Sequence, residues 1–161
     1  MKTPQWIIRN FGSRKKTSTL NDEQKIALAD RIYILLLVQL TVAGKDGSIE
    51  DRGGNINRKA IGYLFGFLGS AVRAQGYDDS DPHTFIPIAF HVLRRLFPGR
   101  ETAYMEFFVE HQKEDLVVLG DTVGGQQFVD FMKNKQNPMG LARFIIEGDP
   151  RKCPDQRSGE A

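Results

Sequence analysis

Cysteine is nearly absent from this chain, since Cys153 is the only one among 161 residues. A single thiol has no intramolecular partner, so a disulfide-stapled secreted framework is excluded and a reducing compartment, the cytoplasm, is the expected location. Long apolar runs are missing as well. The longest candidates, 32–43 and 61–72, fall short of the roughly 18 residues that a bilayer-spanning helix requires. Both segments are therefore predicted to be buried core helices.

Motifs that carry chemistry are also missing. The glycines at 62, 66 and 69 lie in an apolar helical pattern, without the Lys-Ser/Thr ending or the preceding strand of a phosphate-binding loop. The three histidines, His83, His91 and His111, show neither zinc-finger spacing nor a pair four residues apart. No serine stands in a Gly-x-Ser-x-Gly turn. The sequence therefore predicts no cofactor and no metal, and it favours a non-catalytic interaction or regulatory protein over an enzyme.

A metal-binding helical protein, or a metal-dependent enzyme, stays as the alternative. Its ligands would be the histidines and the carboxylates of an acidic loop that contains Asp46, Glu50 and Asp51. The segment from Val42 to Asp51 locally resembles the helix-to-Asp-Gly turn of the tellurite-resistance TerB family, and the resemblance implies a helical fold with an acidic metal site. Turn chemistry by itself predicts a solvated turn with Asp46-Gly47 at its corner.

The composition that is present is that of a globular domain, with 40% hydrophobic and 26% charged residues. Residues 20–148 are predicted to form an all-α domain, a single irregular or orthogonal bundle of about five helices with flexible ends. Residues 1–19 form a basic arm and linker in this interpretation. Residues 149–161 are polar, carry no apolar anchor and are predicted to be disordered.

Cap and stop signals place the helices. Asn21 and Gln24 have the spacing of a capping box, and the helix that follows is apolar nearly all round as far as Ala43, which predicts the central helix of the bundle. Asn57 caps a second helix. The β-branched run 116–119 is interpreted as helix or turn, because a lone short strand would have no sheet to join. The other predicted helices run from 82 or 84 to 97, 101–113, 122–134 and 140–147.

Small residues repeat every four positions along the second helix, at Gly62, Gly66 and Ser70. Each helical glycine costs about 1 kcal/mol relative to alanine, which indicates that close backbone packing compensates for it. We expect the helix that ends at Ala43 to pack against this small-residue face.

The first 20 residues carry five basic residues and no acid, and subtracting these five from the formal net charge of +2 leaves about −3 for the rest of the chain. A short helix over 4–11, stopped by Gly12, is predicted to combine apolar and basic side chains. We expect this docking arm to bind a protein partner or a second copy of the chain in a homo-oligomer, or else an anionic membrane surface, while nucleic acid is an unlikely partner for the domain core. The arm residues are Trp6, Ile7, Arg9, Phe11, Arg14, Lys15 and Lys16.

Overall fold

A computed structural model describes residues 20–44, 48–51 and 53–148. These residues form an all-α bundle, as the sequence predicts, with six helices and no strand within the described ranges. An isolated antiparallel bridge joins Glu50 to Ile56 in the connection after the first helix. The helices are α1 (Asp22–Val42), α2 (Arg58–Ala74), α3 (Pro82–Leu96), α4 (Glu101–His111), α5 (Asp115–Asn134) and α6 (Gly140–Glu147).

The predicted caps at Asn21 and Asn57 begin α1 and α2. The Asn21 side chain accepts a hydrogen bond from the Gln24 amide at 2.8 Å, and the Asn21 amide donates to Gln24 Oε1 at 3.0 Å, which completes the capping box. Asn57 accepts from the Ala60 amide at 3.0 Å and also donates to the Phe144 carbonyl at 2.8 Å. Asn57 therefore starts α2 and ties it to α6.

The sequence predicts that α3 begins at 82 or at 84, and in the structure it begins at Pro82, with Asp81 as its N-cap. Asp81 accepts from the amide of His83 at 3.1 Å, and Pro82 occupies the first turn. Pro87 then lies inside the helix, where its missing amide leaves the carbonyl four residues earlier without a helical donor. That carbonyl belongs to His83, and the Lys25 ammonium of α1 donates to it at 3.1 Å.

The centre of the bundle is α2, and the prediction that α1 is central was wrong. Every residue of α2 from 60 to 72 is buried, whereas α1 buries only one side. The glycines of α2 let the backbone of α5 approach closely on one face, and α1, α3, α4 and α6 also contact α2, while the branched and bulky side chains around α1 hold neighbours further away.

A tight contact between α2 and α5 is the principal packing interface of the fold. Cβ atoms built on Gly62 and Gly66 would lie 2.1 and 2.0 Å from backbone oxygens of α5, and Cβ atoms built on Gly120 and Gly124 would lie 2.1 and 2.2 Å from backbone oxygens of α2. The contacts advance together along both helices, so α2 and α5 run in the same direction. Only glycine fits at these four positions.

The helix expected to pack on the small-residue face was therefore the wrong one. Gly62 and Gly66 face α5, and Ser70 continues the same contact, since a Cβ on Gly125 would lie 2.9 Å from its Oγ. The predicted start of this helix near Thr122 was also wrong, because α5 begins at Asp115 and includes the run 116–119. Val117 is fully buried against α2, so tertiary packing outweighs the strand propensity of the β-branched run.

Candidate interaction surface

The second half of α1 carries no charged residue from 32 to 44. On its buried side Ile32, Leu36 and Leu40 pack into the core, mainly towards α3. On the opposite side the side chains are exposed although they are apolar: 59% of Ile34, 39% of Leu37, 53% of Val38 and 56% of Val42. We call these four residues the α1 face.

Helical geometry makes these four side chains one continuous surface. Ile34, Val38 and Val42 recur at intervals of four residues and Leu37 lies beside them, so they share a stripe about two turns long. Solvent-facing helix positions are usually polar or charged, and scattered single apolar residues need no explanation. A contiguous set on one stripe does need one.

A polar cluster borders the α1 face towards the start of the helix. The Asp30 carboxylate forms an ion pair with Arg95 of α3 and lies 3.3 Å from Nε2 of His91. The Arg95 guanidinium also lies over the Tyr33 ring, 3.8 Å from its centroid. This cluster fixes α1 on α3 and gives the apolar stripe a charged edge. An apolar centre with a polar rim is the usual anatomy of a protein interface.

At its other end α1 stops at Val42, and Gly44, two residues later, has a positive φ of 67°. No basic residue lies in the last turn of the helix. Its terminal carbonyl groups, which carry the negative end of the helix dipole, therefore have no lysine or arginine on their own helix to compensate them.

Two glutamines, the buried Gln39 and the half-buried Gln127, hold α6 against the rest of the bundle. Gln39 of α1 accepts from the Leu141 amide at 3.0 Å, and Gln127 of α5 accepts from the Gly140 amide and from the Tyr63 hydroxyl, both at 2.8 Å. They accept hydrogen bonds from free amides at the start of α6, because the capping residue Met139 has no side-chain hydrogen bond to these amides. Burial raises the pKa of the Tyr63 phenol, so it stays a neutral donor. This network is structural and offers no reactive group.

The histidines do not converge. His91 contacts Asp30, whereas Nδ1 of His111 lies 2.9 Å from the Phe107 carbonyl and its Nε2 lies 3.8 Å from Glu114. His83 is in the first turn of α3. Within residues 20–44, 48–51 and 53–148, no three His, Cys, Asp or Glu side chains lie together as metal ligands would.

The acidic loop is only partly within the described residues, since Asp46 lies outside them. Glu50 forms an ion pair with Arg100 at the start of α4. The Asp51 carboxylate accepts from the amides of Gly53 at 2.7 Å and Asn55 at 3.0 Å, which closes a tight turn. Both carboxylates therefore have structural partners in the protein.

Two depressions on the surface are small. One of about 190 Å³ lies between the end of α5 and the start of α6, next to Gln127 and Pro138, and one of about 130 Å³ lies between the turn at Asp51 and the end of α6 near Ile145. Ligand pockets usually enclose roughly 300–1,000 Å³. Neither depression reaches this range, whereas the α1 face offers a contiguous set of exposed apolar side chains.

Sequence reasoning missed this face. The predicted docking-arm residues (Trp6, Ile7, Arg9, Phe11, Arg14, Lys15 and Lys16) lie outside the described residues, as does Cys153. Among the described helices none is long and apolar enough to cross a membrane. A scan of protein-family models, a search of curated proteins and a search of solved structures each find no match to this chain.

Proposed function

We propose that this protein is a non-catalytic interaction module that binds a protein partner through the α1 face. The observation that carries the proposal is the uncharged stripe of Ile34, Leu37, Val38 and Val42, exposed on a helix whose other side is anchored in the core. We expect it to act in the cytoplasm, where a single cysteine would stay reduced.

The chemistry of the stripe favours an amphipathic helix as the bound segment. Side chains at 34, 38 and 42 form a ridge along α1, and a partner helix with apolar residues at i, i+3 and i+4 would pack against such a ridge. A phosphate-rich partner fits poorly, because phosphate contacts depend on lysine and arginine and the α1 face contains neither.

The support of the stripe also suits recognition. Gln39, on the buried side between Leu36 and Leu40, is fixed by its hydrogen bond to Leu141, and Asp30 is fixed by Arg95. A preformed helix loses little conformational freedom on binding, so more of the contact energy is expressed as affinity.

Site-specific photo-crosslinking in the source cells tests the proposal. A photoreactive amino acid at position 34 of the full chain is expected to give a discrete adduct with a second polypeptide, and the same reagent at position 119 is expected not to. Leu119 is the matched control, because it is an apolar residue of α5 that is 45% exposed outside the α1 face. The adduct should form again from the two purified proteins.

Adding Leu37→Asp should abolish the adduct at position 34, since burying an unpaired carboxylate in an apolar contact is costly. Leu119→Asp should leave it intact. Identical adducts from positions 34 and 119, or an adduct at 34 that is insensitive to Leu37→Asp, would show that the α1 face does not select a partner.

A further inference from the structure

We infer that the chain's own N-terminal arm, residues 1–19, covers the α1 face when no partner is bound. The inference deepens the proposed function and rests on it for its regulatory meaning, because arm and partner would compete for the same four side chains. Binding of a partner helix would then require release of the arm.

The length of the arm fits this placement. The described chain begins at Leu20, directly before α1, so the arm starts beside the helix that it is inferred to cover. At 1.5 Å per residue, Ile34 lies about 21 Å and Val42 about 33 Å along the helix from Leu20. The nine residues from Phe11 to Leu20 span up to about 30 Å when extended, so Phe11 can reach the level of Ile34.

The sequence-predicted helix 4–11 would then lie antiparallel to α1. Eight helical residues are about 12 Å long, which equals the distance along the axis from Ile34 to Val42. Ile7 and Phe11 are one turn apart in this helix, and Trp6 is adjacent to Ile7. The arm therefore offers apolar side chains at the spacing that the stripe requires.

The charges are complementary. The arm carries five basic residues and no acid, whereas α1 ends without a basic residue in its last turn. In the antiparallel arrangement Lys2 lies at about the level of the carboxyl end of α1, where cations are favoured by the helix dipole.

The exposed area favours the arm over a second copy of the chain. At 39–59% exposure, the four side chains present roughly 300–400 Å² of apolar surface. A pair of such faces would bury roughly 600–800 Å², well under the ~1,200 Å² of a stable interface, so a second copy or any other untethered partner bound through this face alone would bind weakly and transiently. A tethered segment needs less area, because the linker holds it at an effective concentration in the millimolar range.

Fluorescence of the full chain tests the inference, since Trp6 is its only tryptophan. We expect the wild-type emission in buffer to be blue-shifted relative to free tryptophan, protected from acrylamide and unchanged over a roughly hundredfold dilution. Leu37→Asp should shift the emission to the red and remove the protection, whereas Leu119→Asp should not. Phe11→Asp, which leaves the helical domain untouched, should act like Leu37→Asp.

Other results would overturn the inference. A solvent-exposed Trp6 spectrum in wild type, including one that turns blue only with phosphatidylserine-containing vesicles, would show that the arm does not cover the domain. A blue emission lost on dilution would assign the arm to a second copy. A blue emission that persists in Leu37→Asp would place the arm elsewhere. An exposed Trp6 together with a selective adduct at position 34 would refute the arm contact and leave the proposed function standing.

Discussion

Replacing Gly66 by alanine is the most direct test of the α2–α5 interface. A Cβ at this position would lie 2.0, 2.6 and 2.8 Å from the O, C and Cα atoms of Asp121. These are backbone atoms in the middle of α5, so no side chain can move aside and the two helices must separate. Overpacking of this kind costs about 1–3 kcal/mol, with more lost where close contacts open along the whole interface.

Helix propensity acts in the opposite direction and must be subtracted. Alanine is about 1 kcal/mol better than glycine in a helix interior. Subtracting this gain from the overpacking cost, we expect Gly66→Ala to lower the free energy of unfolding by up to about 2 kcal/mol, with a larger loss if contacts open along the whole interface, and Gly66→Leu to lower it further. For a chain of this size, each kcal/mol lowers the melting temperature by about 2–4 °C.

Gly69→Ala is the matched control in the same helix. Its Cβ would lie 3.0 Å from Oδ2 of Asp79, a side-chain atom that can shift, so the propensity gain should dominate and the variant should be near neutral or stabilised. Urea titrations followed by circular dichroism would compare the two variants. A Gly66→Ala midpoint equal to or above that of Gly69→Ala would refute the glycine-dependent contact.

Three further predictions concern buried polar groups. Tyr104→Phe should leave the free energy of unfolding unchanged or raise it by up to about 1 kcal/mol, because the Tyr104 hydroxyl is buried without a hydrogen-bond partner among the described residues. Tyr63→Phe should lower the free energy of unfolding by about 1 kcal/mol, because it removes the hydrogen bond to Gln127; urea titrations that rank the two variants the other way round would contradict both expectations. Asn57→Ala should lower the free energy of unfolding by roughly 2 kcal/mol and Asn21→Ala by roughly 1 kcal/mol, because Asn57 also donates a hydrogen bond to the Phe144 carbonyl. Equal decreases in melting temperature for the two variants would contradict a stabilising contact between Asn57 and α6. Burial raises the pKa of Asp79 above 3.8 although Arg73 opposes the shift, so the contribution of Asp79 to stability is full below pH 3.8 and is lost as the pH rises through its pKa in the folded protein. The urea midpoint of Asp79→Asn relative to that of wild type should therefore increase over this pH interval. A difference that stays constant with pH would show that Asp79 does not titrate as inferred.

Local signals in this sequence were sufficient to place most helix ends. A cap at Asn21, Asn57 or Asp81 is made by a side chain and an amide two or three residues away, so the pattern that predicts it also contains both partners. The β-branched run before Gly120 is different. Its interpretation as helix or turn is confirmed, but the packing of this run involves α2, which is more than 40 residues away in sequence, so no local pattern could place the start of α5 at Asp115.

The sequence of α2 alone could not identify which helix packs against its small-residue face. Gly62 and Gly66 indicate that some backbone comes close, but they do not say which one. A usable signal was present in Gly120 and Gly124, which repeat the same four-residue spacing. Two glycine stripes of equal period predict each other, because a close helix crossing requires small residues on both sides.

The exposed stripe on α1 shows why apolar content alone could not separate a central helix from a binding one. Both α1 and α2 have long stretches without charge, 32–44 and 60–72. They differ in side-chain size: the glycines of α2 let α5 approach at short distance on one face, while the leucines and β-branched residues of α1 require each neighbour to pack 8–10 Å away. The other described helices supply such neighbours, mainly α3 and α6, on one side of α1 only. Its remaining apolar side is therefore left for a segment from outside the helical bundle, which is the role that the proposed partner and the arm would fill.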